Sequence, residues 1–384
     1  MKGSTSVIGI AVICWLAGCG SSSPGGNGDA DANTSTQPDA AAELVVTTVA
    51  GTGEPSFADG AGASAKLNGP MGLVAVGNRV FVADEMNHRI RMLECAGTEC
   101  TVSTIAGTGT PGFTNGDGAT AQFNHPIDIA VNPAGEFLVV DYSNTRIRKI
   151  ACTGTPSPAT CMVSTFAGSG VTGSDNGDAA TATFSGPSGV AVSSDNITYI
   201  ADTNNQKIRR IVCSGTCTVD TLAGTGGLGY QDGAADTAMF SVPIDVAVDS
   251  TGAVYVPEWL NMRVRKIAGG MVSTFAGSGL EDYMDGPQAT AAFAHPRALT
   301  IDTSNRVWVA DQGNHRIRLI ADGATATLAG SGMTGPPDFG GGGFADGPAM
   351  SAMFLSPRGI AIDASGNVYV SDTDNHRIRI LRYQ

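Results

Sequence analysis

Short runs of alternating apolar and polar residues recur from residue 44 to residue 384. One kind of run follows a proline, as in residues 127–131 (IDIAV), and a second follows a turn rich in Gly and Asn, as in 368–370 (VYV). A third run contains basic residues, as in 377–380 (RIRI), and a fourth is rich in Val and Thr, as in 102–106 (VSTIA). β-branched residues at a period of two, separated by Gly, Asn and Asp, predict four-stranded antiparallel sheets.

The four runs form a unit that recurs along the chain. Each copy contains a proline followed, two residues later, by a small residue or Asp and then by an apolar run. The prolines stand 53 to 61 residues apart, at Pro70, Pro126, Pro187, Pro243, Pro296 and Pro357. A repeat of this length with four short strands predicts one blade of a β-propeller, so we predict an all-β chain with six blades.

The phase of the repeat predicts how the ring of blades closes. Five fourth runs follow a proline, and they end at Ala106, Ala167, Ala223, Ala276 and Ala329. The sixth precedes the first proline, at residues 45–50 (VVTTVA), while the third run of copy six comes just before Gln384. We therefore predict that residues 44–50 complete the sixth blade, which removes two exposed sheet edges.

The segment between the second and third runs carries a family resemblance. In every copy it begins with an acid, has Asn three residues later and ends with Arg. The six segments are 84–91 (DEMNHRIR), 141–148 (DYSNTRIR), 202–209 (DTNNQKIR), 258–265 (EWLNMRVR), 311–318 (DQGNHRIR) and 372–379 (DTDNHRIR). They resemble NHL repeats, which are named for an Asn-His-Leu stretch at this turn. The resemblance covers residues 44–384 and implies a propeller, most often with a binding role, without implying one chemistry.

The first 43 residues predict export. Residues 1–18 carry Lys2 near the start and an apolar run at 7–16, and they end in Leu-Ala-Gly directly before Cys19. This arrangement resembles a bacterial lipoprotein signal peptide, which is cleaved before a cysteine that becomes lipidated. Residues 19–43 are small and polar, which predicts a flexible tether. We expect an exported protein of the cell envelope, on its periplasmic or outer side, whose only membrane attachment is lipid on Cys19. An ordinary signal peptide with an incidental cysteine is the alternative.

Composition narrows the classes of partner. Charged residues make up 15% of the chain, and the net charge is −13 at pH 7. A strongly acidic surface repels phosphate backbones, so we expect no nucleic-acid partner. We expect a monomer.

The cysteines that follow Cys19 lie in three close pairs. Each pair brackets the predicted turn between the third and fourth strands of one blade, where antiparallel strands bring two side chains within bonding distance. Exported proteins fold in an oxidising environment, so the pairs predict three hairpin disulfides. A zinc site is the alternative. The pairs are Cys95 and Cys100, Cys152 and Cys161, and Cys213 and Cys217.

The segment from the fourth strand of one copy to the first strand of the next, here called the connecting loop, has its own pattern. Asp or Asn stands before a Gly in each loop, an aromatic precedes it in all copies but the third, and an apolar residue stands three residues before the proline. Either apolar anchors hold the loops folded back, or their aromatics and carboxylates form a rim that binds a glycan or peptide. Strand direction places these loops on one face with the Asp-x-x-Asn turns, which we expect to be structural. An insertion at 333–343 lengthens the loop of copy six.

Copies two, four and five depart from the pattern where the innermost strand begins. The second residue after the proline is Gly in copies one, three and six but Asp in copies two and four, and His precedes the proline in copies two and five. The departures that we expect at the mouth of the central channel, as a candidate binding site, are His125, Asp128, Asp245, Glu258, His295 and Arg297. Four of them, His125, Asp128, Asp245 and His295, are of the types that hold Zn²⁺ or Ca²⁺.

Three functions remain open at this point. A surface-anchored binding or scaffold module for a peptide, protein or glycan fits the repeat best. A metal-dependent lyase or lactonase is the alternative, because the six-bladed peptidylglycine lyases and gluconolactonase-like proteins hold a metal at this place. The gluconolactonase pattern, however, begins with a metal-binding Glu on an early inner strand, and this chain has no counterpart. A purely structural envelope component is the third, and no catalytic residue is identified.

Overall fold

The computed structural model describes residues 43–332 and 342–384. The predicted signal peptide, Cys19, all of the predicted tether except Glu43, and most of the insertion in copy six lie outside the described residues. Within the described residues, no helix is long and apolar enough to cross a membrane.

The described chain forms six antiparallel sheets of five strands each, one per predicted blade. The first strand is β1 (Leu44–Ala50). Blade one comprises β2 (Gly60–Ala61), β3 (Pro70–Val76), β4 (Arg79–Asp84), β5 (Arg89–Ala96) and β6 (Glu99–Ala106). Blade two comprises β7 (Gly116–Asp117), β8 (Pro126–Val131), β9 (Phe137–Asp141), β10 (Arg146–Cys152) and β11 (Cys161–Ala167). Blade three comprises β12 (Gly177–Asp178), β13 (Pro187–Val192), β14 (Thr198–Asp202), β15 (Lys207–Ser214) and β16 (Thr216–Ala223).

The second half of the ring repeats this order. Blade four comprises β17 (Gly233–Ala234), β18 (Ala247–Val248), β19 (Val254–Glu258), β20 (Arg263–Ala268) and β21 (Met271–Ala276). Blade five comprises β22 (Gly286–Pro287), β23 (Pro296–Ile301), β24 (Val307–Asp311), β25 (Arg316–Ala321) and β26 (Ala324–Ala329). Blade six comprises β27 (Gly347–Pro348), β28 (Pro357–Ile362), β29 (Val368–Asp372) and β30 (Arg377–Tyr383), together with β1. The prediction of an all-β, six-bladed propeller is confirmed.

Ring closure occurs in blade six as the phase of the repeat predicts. Strand β1 pairs antiparallel with β30, so that Leu44 lies opposite Tyr383 and Thr48 lies opposite Arg379. The first strand of the propeller thus joins its last blade, and neither strand is left with an unpaired edge at the junction.

A fifth strand in each blade was not predicted. Two residues of the connecting loop pair with the fourth strand of the blade that the loop leads into, as Gly60 of β2 does with Val102 of β6. Each connecting loop therefore runs out to the outer edge of its blade and covers it before returning to the innermost strand. A two-residue strand has no periodicity that the sequence could reveal.

The core consists of one apolar cluster between each pair of neighbouring blades. The apolar residue three positions before each proline lies in one of these clusters and is fully buried. These anchors are Leu67, Phe123, Phe184, Phe240, Phe293 and Phe354. Burial of a side chain of this size contributes roughly 2–3 kcal/mol, so each anchor helps to hold its connecting loop folded back.

Disulfides join the third and fourth strands in blades one to three, as predicted. The bonds are Cys95–Cys100, Cys152–Cys161 and Cys213–Cys217. In each pair the two residues lie directly opposite each other on adjacent strands, as Cys152 and Cys161 do on β10 and β11.

A short 3₁₀ turn links the second and third strands in every blade but the fourth. These turns are Glu85–Asn87, Tyr142–Asn144, Thr203–Asn205, Gln312–Asn314 and Thr373–Asn375. Blade four is also the blade whose innermost strand, β18, is only two residues long.

Candidate functional site

The connecting loops and the turns between second and third strands meet on one face, here called the loop face. The Asn of each turn donates a side-chain N–H to a loop carbonyl, as Asn87 Nδ2 does to Ser56 O at 2.9 Å. The equivalent bonds join Asn144 to Gly112, Asn205 to Gly173, Asn261 to Gly229, Asn314 to Asp282, and Asn375 to Gly343. The Asp-x-x-Asn turn therefore holds the loop in place.

A fully buried arginine completes this attachment in every blade. In blade one, Arg91 donates to Asp84 Oδ2 at 2.5 Å, to Asp59 Oδ1 at 2.7 Å and to the carbonyls of Ala58 and Lys66. The guanidinium thus joins the third strand, the turn and the connecting loop. The arginines are Arg91, Arg148, Arg209, Arg265, Arg318 and Arg379. Removal of one partner from a buried ion pair of this kind typically costs about 3–5 kcal/mol.

The Asp or Asn of each connecting loop is thereby a partner of an arginine. The residues are Asp59, Asn115, Asn176, Asp232, Asp285 and Asp346, and each accepts a hydrogen bond from the buried arginine of its blade. The four aspartates among them remain 38–42% exposed while they pair with the arginine. Their main contact is therefore structural, and only part of each carboxylate is open to a ligand.

The loop aromatics are also partly exposed, and each lies above a second arginine. The guanidinium carbon of Arg89 lies 3.8 Å from the centre of the Phe57 ring, and that of Arg146 lies 3.9 Å from the Phe113 ring. The other pairs are Arg263 with Tyr230, Arg316 with Tyr283, and Arg377 with Phe344. Phe57, Phe113, Tyr230 and Phe344 are 40–45% exposed. Stacking on a guanidinium fixes each ring while leaving its other face open to solvent.

Blade three shows why its loop lacks the aromatic. The arginine beneath the ring is replaced there by Lys207, whose Nζ donates to Ser174 Oγ at 2.6 Å. Ser174 stands where the other loops have Phe or Tyr. The aromatic and its arginine are thus present or absent together.

In five of the six copies, the residue before the proline donates its backbone N–H to a side chain of the preceding blade. Its backbone has a positive φ in all six copies, including 55° at His125 and 50° at His295. His125 N donates to Nδ1 of His88 at 3.1 Å, and Gly69 and Ser356 donate in the same way to His376 and His315. Gln206 Oε1 accepts the equivalent bond, from Val242 N, at 2.7 Å. Burial lowers the pKa of His88, His315 and His376, which favours the neutral form that can accept this bond.

Two of the predicted residues, Asp128 and Asp245, do line the central channel. The channel has a volume of about 270 Å³ and is otherwise lined mainly by apolar residues of the six innermost strands. Asp128 Oδ2 accepts a hydrogen bond from Val190 N of blade three at 2.7 Å, and Asp245 Oδ2 accepts one from Leu299 N of blade five at 3.0 Å. Each carboxylate therefore joins its own blade to the next one.

The channel environment disfavours ionisation of both carboxyl groups. Burial raises the pKa of Asp245 to about 7, and burial together with the Asp245 charge raises the pKa of Asp128 well above its ordinary value. A Cβ on Gly72 would overlap Asp128, and one on Gly189 would overlap Asp245. The alternation of Gly and Asp along the sequence therefore also reflects packing between neighbouring blades.

The structure separates the two predicted histidines from this pair. His125 Nδ1 lies 3.0 Å from Ser143 Oγ. The ring centre of His295 lies 4.4 Å from that of Trp259, and its Nδ1 lies 3.4 Å from Glu281. In the described part of the chain, no group of three or more His, Cys, Asp or Glu side chains is arranged to hold a metal ion.

Glu258 does not belong to the channel mouth. Its side chain is fully buried, donors from Ser241 N and Asn261 Nδ2 reach its Oε1 at 2.8 Å, and Arg265 donates to its Oε2 at 2.8 Å. It occupies the place that Asp holds in the other blades. The sequence departure at this position changes the length of a structural acid and does not create a ligand site.

Arg297 lies at the mouth, and Arg358 has the equivalent place in blade six. The residue after the proline is Met71, Ile127, Ser188 or Ile244 in the first four blades, all buried, and Arg in the last two. Sequence reasoning identified Arg297 and missed Arg358, although the same position relative to the proline would have revealed it. These two arginines have none of the partners that surround the buried arginines of the third strands.

Comparisons with known proteins agree with this architecture. The NHL repeat family matches residues 123–150, 293–318 and 354–381, which lie in blades two, five and six. The NHL repeat-containing protein 2 of Bos taurus is 29% identical over 80% of this chain and 45% of its own length. The protein SUPPRESSOR OF QUENCHING 1, chloroplastic, of Arabidopsis thaliana is 29% identical over 71% of this chain and 27% of its own length. The chain thus spans less than half of these curated relatives.

Solved structures share the fold at low identity. An auxiliary nutrient binding protein from Bacteroides thetaiotaomicron superposes with a TM-score of 0.65 at 17% identity, covering 89% of this chain and 77% of that one. A streptogramin B lyase superposes with a TM-score of 0.50 at 12% identity, covering 89% of this chain and 98% of that one. At these identities the likeness extends to the fold alone.

Proposed function

We propose that this β-propeller, whose blades two, five and six match the NHL repeat family, is a binding module that recognises a peptide, protein or glycan on its loop face. The observation that carries this proposal is the ring of partly exposed aromatics, each fixed on an arginine. Rigid aromatic side chains provide a large contact area at a low cost in conformational entropy, and they are enriched in binding hot spots.

Other apolar side chains extend this surface. Val171, Leu228 and Leu280 in the connecting loops are 61–63% exposed, and Met86, Tyr142 and Leu260 in the turns are also exposed. A patch of exposed apolar residues with charged residues beneath and between them is typical of an interaction site. The neighbour described as a nutrient binding protein is consistent with a binding role for such a propeller.

The lyase or lactonase alternative has less support. It requires metal ligands or an acid and base that meet at the channel mouth, and within the described residues the two histidines lie apart from the two aspartates. The aspartates also bind backbone N–H groups of neighbouring blades, which accounts for their position without catalysis.

Variants on the loop face and away from it test the proposal. The purified chain would be screened against a glycan array and against peptide and protein libraries, and retained ligands would be titrated against Phe113→Ala and Tyr230→Ala. We expect each variant to weaken binding at least about tenfold, because a truncated aromatic hot spot costs 2 kcal/mol or more. Met162→Ala is the matched control, because Met162 is 51% exposed on the fourth strand of blade two, next to a disulfide. Equal affinities for all three variants and the unchanged chain would contradict the proposal.

The proposed setting of this module is the bacterial cell envelope. Three disulfides are typical of exported proteins. We further propose that residues 1–18 are removed, that Cys19 is lipidated and that residues 19–43 tether a monomeric propeller at residues 44–384. The variant Cys19→Ala should then move the protein from the membrane to the soluble fraction. Equal membrane association of variant and unchanged chain would argue against the lipid anchor.

A further inference from the structure

Among the innermost strands of the described chain, only those of blades five and six contain an arginine. Arg297 and Arg358 each follow the proline of their blade and begin neighbouring innermost strands, β23 and β28, which contact each other. Among the described residues, Arg297 makes no hydrogen bond or ion pair. Arg358 makes one ion pair, with Asp374 at 3.4 Å, and its Nε is buried without a hydrogen-bond partner in the described chain.

The surroundings of Arg297 make an unpaired guanidinium costly. Burial and the neighbouring Arg358 charge lower the pKa of Arg297 to about 10. The acids within electrostatic reach are Glu85, Asp128 and Asp245, and none of them lies within ion-pair distance of Arg297. Burial raises the pKa of all three acids and so disfavours their charged forms at this site.

Two further polar atoms without partners lie in turns of the loop face. Within the described chain, Trp259 Nε1 and Gln312 Oε1 are buried and have no hydrogen-bond partner. Each follows the structural acid of its blade, in the turns of blades four and five. Buried polar atoms without partners favour a ligand that can pair with them, so these two atoms and the buried Nε of Arg358 support binding at this end of the propeller.

We propose that Arg297 and Arg358 form a subsite that binds an oxyanion group of the ligand, a carboxylate, sulfate or phosphate, at the channel mouth. The guanidinium fork matches the geometry of all three groups and binds them through charged, bidentate hydrogen bonds. An oxyanion placed there pairs with Arg297, which has no ion pair within the described residues, and offsets its repulsion by the neighbouring Arg358. This inference deepens the proposed function, because it places a charged group of the ligand inside the ring of loop aromatics.

Small anions test the subsite without knowledge of the ligand. Inorganic phosphate, sulfate and acetate would each be titrated into the full chain by calorimetry at low ionic strength, with chloride as the ionic-strength control. We expect at least one of them to bind in the millimolar range. Acetate alone would identify a carboxylate site, whereas phosphate and sulfate would identify a tetrahedral anion. Failure of all three to bind below about 10 mM would overturn the proposal.

Variants assign the binding to the two arginines. Arg297→Met and Arg358→Ile introduce side chains that blades one, two and four carry at this position, and each should weaken anion binding at least about tenfold. Arg297→Lys keeps the positive charge but loses the forked guanidinium group. Its anion affinity should lie between that of Arg297→Met and that of the unchanged chain. The control is Arg79→Met, because Arg79 forms an exposed ion pair with Glu94 beside the turn between first and second strands. Unchanged anion affinity in Arg297→Met and Arg358→Ile would overturn the assignment.

Failure of this subsite and failure of the proposed function give different results. One result is that anions bind equally well to Phe113→Ala and no glycan, peptide or protein is retained. This result would support the anion subsite and contradict the proposed binding role of the loop aromatics. Ligand binding that depends on the aromatics but not on Arg297 or Arg358 would support the rim and overturn the subsite.

Discussion

Two of the arginines in blade five, Arg318 and Arg297, differ in the number of partners that the protein gives them. Arg318 is fully buried and donates to Asp311, Asp285 and two loop carbonyls, as its five counterparts do in their own blades. Arg297 stands at the channel mouth with no hydrogen bond or ion pair to the described residues, and only blade six repeats it. The arginine found in every blade attaches the connecting loop to the blade, whereas the arginine found in two blades has no such role within the described residues. In a symmetric scaffold, function is therefore best sought where a charged residue lacks partners and occurs in only a few of the copies.

Deletion of residues 44–50 should have the largest effect on the repeated framework. Without β1, strand β30 has an unpaired edge and β27 loses its only strand partner, so we expect loss of cooperative unfolding or aggregation. The control is deletion of residues 25–31, seven residues of the predicted tether. Thermal unfolding followed by circular dichroism compares the two. A normal transition after loss of β1 would show that closure does not hold the ring together.

Loss of one hairpin disulfide should have an intermediate effect. Replacing Cys152 and Cys161 by Ser opens a bond between residues nine apart in sequence, which should lower the free energy of unfolding by about 2–3 kcal/mol. Urea unfolding of the variant and of the unchanged chain measures this change. The loop-face variants should not reproduce it, and binding on the loop face should be retained. Loss of binding in the disulfide variant would show that the hairpin between the third and fourth strands affects the loop face, which we treat as independent of it.

Asp245 should make stability fall as pH rises. Its pKa is raised to about 7 in the folded chain, so the folded state holds this proton more tightly than the unfolded state does. The resulting stabilisation is complete below the unfolded pKa of about 4 and is lost as the pH rises through about 7. Asp245→Asn is neutral and keeps a carbonyl acceptor for Leu299 N. Relative to the unchanged chain, we expect this variant to gain on the order of 2 kcal/mol of stability between pH 5 and pH 8.

Unfolding free energies at the two pH values check the effect of Asp245. The exposed residue Asp236 provides the control, as Asp236→Asn, and should show no such difference. A lower stability of Asp245→Asn at both pH values would mean that the charged carboxylate is needed to hold blade four to blade five.

The histidine contacts between blades should give a smaller effect of opposite sign. Burial lowers the pKa of His88, so the stabilisation from its bond with His125 N is complete above about pH 6.5 and is lost as the pH falls below that value. His88→Gln copies Gln206, which accepts the equivalent bond in blade three without titrating. Between pH 7.5 and 5.5 we expect the unchanged chain to lose about 0.5–1 kcal/mol more stability than His88→Gln. Parallel pH profiles would contradict the assigned role of the histidine.

Much of the framework could be predicted because it is repeated in the sequence. The phase of the prolines predicted the closure by residues 44–50, and the spacing of the cysteines predicted the hairpin disulfides. The sequence offered two interpretations of the connecting loops, and the burial of anchors such as Phe123 agrees with the one in which the loops fold back on the blades. Contacts that join one copy to the next were not predictable, because pairs such as His88 and His125 or Asp128 and Val190 have no local signal.

The candidate site could be predicted only in part, because a departure from the repeat has more than one physical cause. At Glu258 the departure is a longer acid in the same buried network. At Asp128 and Asp245 it provides an acceptor for a neighbouring blade and fills the space beside Gly72 and Gly189. Arg297 belongs to no such buried network and donates no hydrogen bond to a neighbouring blade within the described residues, which only the structure shows. The aromatics of the rim were recognised from the sequence, but the arginine beneath each of them was not.

Two substitutions in blade five test the central claim most directly, namely Arg318→Met and Arg297→Met in the full chain. Urea unfolding would measure their stability, and calorimetric titration with inorganic phosphate, sulfate and acetate would measure their anion binding. We predict that Arg318→Met loses about 3–5 kcal/mol of stability, whereas Arg297→Met is at least as stable as the unchanged chain and binds anions at least about tenfold more weakly. Equal stability losses in the two variants, with anion binding unchanged in Arg297→Met, would contradict the division between a repeated framework and a binding mouth.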